Sequence, residues 1–142
     1  MTSEPTTERI RVRYGETDAM GHAYYANYLY WFEQARGAWC RARGFHYRDL
    51  EAMGYFLPVV EVHVRYKGEV KYDAEIDVEV TVTEISRSAM KFDYVVRDSE
   101  TGRVTTEGYT WHVLMGQQRR AISIPPDVRA MLDRPIVTEP RG

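Results

Sequence analysis

The chain has 142 residues, a net charge of −2 at neutral pH and one cysteine, Cys40. That length fits a single domain able to bury a core without metal or disulfide staples. The charge leaves no basic footprint for nucleic acid, and one cysteine excludes an internal disulfide or a multi-cysteine zinc site. No stretch approaches the ~18 consecutive apolar residues of a membrane span. Residues 1–8 are polar and lack the apolar run of a signal peptide. The expectation is therefore a cytoplasmic protein with neither nucleic acid nor membrane as partner. Eleven tyrosines and three tryptophans are the unusual feature. Such residues fill half-buried strand faces, line apolar pockets or cover subunit interfaces.

In chain order, residues 9–132 read as one domain with flexible ends at 1–8 and 137–142. Residues 9–14 alternate apolar and basic side chains, which predicts a half-buried strand. Gly15, Asp18 and Gly21 then break the pattern into a loop. From about Asn27 to Arg43 the spacing turns helical, with Tyr28, Phe32, Ala35, Trp39 and Ala42 on one stripe. Asn27 suits the N-cap and Gly44 the position just past the end. Residues 47–53 predict a short second helix, ended by Gly54. Four strands follow, seen as period-two rows: Val60 to Tyr66, Ile76 to Val82, Met90 to Val96, and about 103–115. Residues 99–102 supply a hairpin turn, and 125–132 a short terminal helix. The order predicts an α+β fold, one long helix packed on an antiparallel sheet of about five strands. The second sheet face and the edges are left to be covered, and a homo-oligomer covers them economically.

The segment between the first strand and the long helix carries the chemistry. The first N–H groups of a helix lack internal partners and sit at the positive end of its dipole. Such a position can take a developing oxyanion. A carboxylate beside it, here Asp18, can serve as nucleophile or general base. Spacing alone equally allows a turn-forming aspartate. His22 stands four residues after Asp18, either orienting substrate or packing the loop. Glu33 offers a second carboxylate or a structural partner for Arg36 or for Arg9–Arg13. His46, His63 and His112 lack metal-ligand spacing, so no metal is expected, and Cys40 reads as core.

These residues place the chain in a known company. It resembles the hotdog-fold acyl-CoA thioesterases of the 4-hydroxybenzoyl-CoA thioesterase type from about Arg9 to Met115. The match rests on Tyr14-Gly15-Glu16-Thr17-Asp18-Ala19-Met20-Gly21-His22 and on the run from Asn27 to Arg36. Tyr47-Arg48-Asp49-Leu50, Pro58 and Tyr72-Asp73 add support. The resemblance implies that Asp18 is the catalytic carboxylate, attacking the thioester or activating water. It implies that the Tyr25 backbone N–H polarises the carbonyl, and that coenzyme A, part of the substrate rather than a cofactor, lies across the interface of a homodimer or homotetramer. His22 and Tyr24 then contact substrate, and Arg87 and Lys91, flanking a turn at 86–89, are the candidates for its phosphates. One subgroup has histidine where this chain has Tyr25. Another has Gly-His-Val-Asn-Asn where this chain reads Gly21-His22-Ala23-Tyr24-Tyr25, which leaves acyl preference open. Tyr24, Tyr25, Tyr28 and Phe56 point to an aromatic or medium-chain acyl group. Two other readings stand beside hydrolysis. One is a hydratase or dehydratase using His22 with Asp18 or Glu33; the other is a non-catalytic acyl-binding protein.

Overall fold

The computed structural model describes residues 3–137. Its elements run β1 (Thr6–Arg11), a 3-10 turn (Tyr14–Glu16), α1 (Asn27–Ala42), α2 (Tyr47–Ala52), β2 (Val59–Tyr66), β3 (Glu75–Ile85), β4 (Ala89–Asp98), β5 (Val104–Val113) and α3 (Pro126–Leu132). The strands form one antiparallel sheet in the order β1-β3-β4-β5-β2. With α1 packed on one face, this is the α+β hotdog arrangement that the sequence leads one to expect.

The packing follows from two periodicities. Helical spacing puts Tyr28, Trp31, Phe32, Ala35, Trp39 and Cys40 on the buried side of α1. Period-two spacing puts Ile76, Val78, Val80, Val82, Met90, Phe92, Tyr94 and Val96 on the facing side of the sheet. Phe32 stacks on Tyr94 with ring centroids 4.1 Å apart. That approach needs Gly108: a Cβ there would lie 2.9 Å from the Phe32 ring and 2.6 Å from the His63 carbonyl oxygen. Gly44, with φ +84, turns the chain out of α1 as expected.

Local readings are corrected in three places. β1 begins at Thr6, inside the segment expected to be flexible, and ends at Arg11, because Thr6 to Arg11 pair with Val80 to Glu75 of β3. Tyr14 falls in the 3-10 turn instead. The N-cap is Ala26, and the Asn27 amide donates to the Glu16 carbonyl oxygen at 2.7 Å. Val60 leaves the inward row of β2, since the register with β5 shifts between Val59 and Glu61. Of the ends, residues 1–2 and 138–142 lie outside the described residues.

The two edges of the sheet differ in chemistry. On β1, Arg9 pairs with Asp77 at 2.8 Å and Arg11 with Glu75 at 3.3 Å. On β2, Val59, Val60, Val62 and Tyr66 are exposed, Val60 to 60%. These β2 residues are interleaved with exposed Glu61, His63 and Arg65; paired charges resist strand addition, whereas exposed valines invite it.

Candidate active site

The loop before α1 folds back on itself as a narrow ribbon. Asp18 N–H donates to the His22 carbonyl at 2.8 Å, Thr17 bridges Ala23, and Tyr24 N–H donates to the Glu16 carbonyl at 2.8 Å. Gly21, with φ +76, lets the tip close, its N–H reaching the Asp18 carbonyl at 3.0 Å. Within this tip, Asp18 Oδ1 accepts from the N–H groups of Met20 at 2.9 Å and His22 at 3.2 Å. The carboxylate is exposed. It has the backbone contacts of a turn former, and both fall on one oxygen.

Glu16 ties the base of the ribbon to the helix. Its carboxylate accepts from the Arg13 N–H at 2.7 Å and from the Trp31 indole at 2.9 Å. Partial burial pushes its pKa up, but these bonds and the nearby Arg13 guanidinium outweigh that and hold it below the ordinary value. The ribbon is also fastened to the β2–β3 connection. Ala23 N–H donates to the Val70 carbonyl at 2.6 Å, and Tyr72 N–H to the Gly21 carbonyl at 3.0 Å.

Tyr25 stands between ribbon and helix, one residue before the N-cap. Its carbonyl accepts from the Tyr66 hydroxyl at 2.6 Å, and its N–H makes no hydrogen bond among the described residues. From the Asp18–His22 pair to the Glu16–Tyr24 pair is two strand steps, about 7 Å. Carboxylate and unengaged N–H thus belong to one small, well-tied unit. Tyr24 and Tyr25 are exposed beside it, with ring centroids 4.6 Å apart.

The remaining candidates are placed less simply. His22 Nε2 lies 3.3 Å from Glu69 Oε2, so its ring is engaged by Glu69 and its tie to Asp18 is through the backbone. The histidine–carboxylate pair that a hydratase would use is therefore not the one formed. Glu33 is exposed and makes no ion pair among the described residues, against the expectation of a partner in Arg36 or Arg9–Arg13. Arg87 donates to the Ser123 hydroxyl at 2.8 Å. The Lys91 ammonium sits 4.5 Å from the Tyr109 ring centroid. Both lie at the end of the sheet away from Asp18: Glu75 adjoins the Asp18 loop, and Ile85 is about 33 Å of strand farther on.

Tyr66 and Arg36 belong near this site but drew no functional reading from the sequence. Tyr66 read only as an inward strand residue, although a terminal tyrosine with a polar tip was a usable signal. Arg36 read only as a helix charge.

The comparisons agree with this architecture. The sequence pattern of the thioesterase-like superfamily matches residues 12–132. A crystal structure of a protein from Aquifex aeolicus is similar with a TM-score of 0.84 and 31% identity, over 89% of this chain and 98% of that one. A DHNA-CoA thioesterase from Staphylococcus aureus is similar with a TM-score of 0.84 and 30% identity, over 89% and 87%. An acyl-CoA thioesterase, YbgC, from Haemophilus influenzae is 33% identical over 59% of this chain and 62% of its own length. The chain is a hotdog-fold member of the thioesterase-like superfamily.

Proposed function

We propose that the protein hydrolyses acyl-CoA thioesters, with Asp18 as nucleophile or general base and the Tyr25 N–H as oxyanion donor. The observation that carries this is the Asp18 carboxylate in a closed turn, tied to an unengaged N–H before the α1 N-terminus. As base, Asp18 takes a proton from water while the water oxygen bonds to the carbonyl carbon. The C–S bond then breaks, and the proton passes to the coenzyme A thiolate. As nucleophile, Asp18 displaces the thiolate itself, and water cleaves the resulting anhydride. In both routes negative charge grows on the carbonyl oxygen, where a preorganised N–H contributes most. Coenzyme A is substrate, and the chemistry as proposed calls on no cofactor or metal.

His22 and Tyr24 border the reacting end in this reading. Arg87 and Lys91 are too far from Asp18 of their own chain to share a substrate with it. They serve the phosphates of a coenzyme A bound at the site of a second copy, joined through the exposed valines of β2. A homodimer, alone or doubled into a tetramer, is thus the working unit. We place it in the cytoplasm, where the buried Cys40 thiol stays reduced.

Thiol release from aromatic, short-chain and long-chain acyl-CoAs tests the activity. Turnover of at least one class is expected. Silence across all three would favour the non-catalytic acyl-binding reading.

A further inference from the structure

Arg36 is 8% exposed and lines a cavity of about 390 Å³ between α1 and β2, together with Ala26, Leu29, Glu33, Val62 and Thr110. A cavity of this size suits a small organic ligand. Arg36 Nη1 donates to the Tyr94 hydroxyl at 3.1 Å, and from there the hydrogen bonds run one way. A guanidinium can only donate, and the Leu57 carbonyl, 3.1 Å from His112 Nδ1, can only accept. Tyr94 therefore donates to Thr110, at 2.7 Å, and Thr110 to His112 Nε2, at 2.9 Å. His112 is neutral, since burial pushes its pKa down to about 4. The negative end of each hydroxyl dipole faces Arg36, which eases the buried charge without cancelling it.

What remains is a cation with no counter-ion among the described residues: against burial, which would lower its pKa, the buried Tyr94 and Tyr47 hydroxyls lie beside it and keep that pKa raised, but neither is an anion. Arg36 Nε is buried with no hydrogen-bond partner, and Arg36 forms no ion pair among the described residues. Arg43, also buried, shows what a satisfied arginine looks like here. It reaches the Thr6 hydroxyl at 3.2 Å and the carbonyls of Trp39 at 3.1 Å and Glu4 at 2.7 Å, and lies 3.9 Å from the Trp39 ring centroid. A buried charge lacking such partners is costly enough to suggest that a ligand completes it.

The cavity runs from that charge to the reacting end. Ala26 adjoins Tyr25, and the ten residues to Arg36 span about 15 Å of helix. Helical side chains tilt back toward the N-terminus, which shortens the gap. Leu29 and Val62 make the wall between apolar. Glu33 is exposed, where solvent screens its charge far more than that of Arg36.

We propose that this cavity selects acyl groups that end in a carboxylate, received by Arg36. The substrate class is the half-thioester of a medium-length α,ω-dicarboxylic acid, and the proposal rests on the reading of Asp18 and Tyr25 as the thioester end. The test compares suberyl-CoA with octanoyl-CoA, which share a chain length. The wild type should favour suberyl-CoA by about tenfold or more in kcat/KM. Arg36→Met should erase that preference, and Arg36→Lys should keep part of it. Thermal shift of the wild type with non-hydrolysable thioether analogues needs neither turnover nor a folded variant. There the carboxylate-ended analogue should raise Tm more. A wild type that handles or binds the octanoyl compound as well as the suberyl one overturns the proposal. If no acyl-CoA releases thiol but the analogue preference persists, the hydrolase reading fails and the Arg36 site stands.

Discussion

At the scale of single residues, the Asp18 unit depends on groups that the motif does not name. Tyr66 lies 41 positions beyond Tyr25 yet holds its carbonyl. A net hydrogen bond is worth about 0.5–1.5 kcal/mol. Tyr66→Phe should therefore lower kcat by about three- to tenfold with little change in Tm, because the Tyr25–Ala26 peptide loses its anchor and the neighbouring Tyr25 N–H, joined to it through the Tyr25 Cα, is held less firmly. A Tyr66→Phe enzyme with unchanged kcat would show that the N–H is positioned by the ribbon alone. Asp18 and Tyr25 drew a functional reading because a recognisable string and a helix start surround them. Arg36 and Tyr66 drew none, because what they touch depends on which element packs opposite them. A lone charge every few positions on a helix gives no sign of lying on the buried stripe.

Among elements, α1 and β5 meet through the polar chain from Arg36 to Leu57, set within an otherwise apolar layer. The neutral, buried His112 makes this chain pH-sensitive. Its folded pKa, about 4, lies below the ordinary 6.5. A depressed pKa means stability that is present above the unfolded value and lost as pH falls toward the folded one. Urea titrations should show stability falling by about 3 kcal/mol at most between pH 6.5 and 4. His112→Gln should flatten that slope. The carboxylates held below their ordinary values, Glu16 and Asp77 among them, act from about pH 4.5 downward, so the two windows overlap only at their edge. A wild-type profile flat from pH 7 to 4.5 would contradict the hydrogen-bond directions inferred here. Gly108→Ala probes the same layer: the Cβ must displace Phe32 or the His63 carbonyl, which should cost about 1–3 kcal/mol in the same titration. Helix α1 and strands β3 to β5 were legible from their periods. The start of β1 was not, since Thr6 and Thr7 are ordered by pairing with β3 rather than by any apolar pattern of their own.

For the whole molecule, the proposed interface rests on the contrast between the two edges of the sheet. The ion-paired β1 edge resists pairing, and the exposed valines of β2, interleaved with Glu61, His63 and Arg65, are the surface better suited to a second copy. The proposed dimer would also account for the separation of Arg87 and Lys91 from Asp18 within one chain. Val60, the most exposed of the β2 valines, is the position to disturb. Val60→Lys should shift the protein toward monomer in sedimentation at micromolar concentration and weaken thiol release in parallel, mainly through KM. A wild type that sediments as a stable monomer with full activity would refute the shared site. That the edge would carry valines was visible in the alternating row; that both of its faces would be exposed followed only from its place in the strand order.

In the proposed function, Asp18 carries the hydrolysis. The most direct test of that role is the rate of thiol release by Asp18→Asn on the best acyl-CoA substrate, with circular dichroism and sedimentation matched to the wild type. A loss in kcat of about a hundredfold or more is expected. An Asp18→Asn enzyme that keeps its fold, its assembly and its wild-type kcat would contradict it.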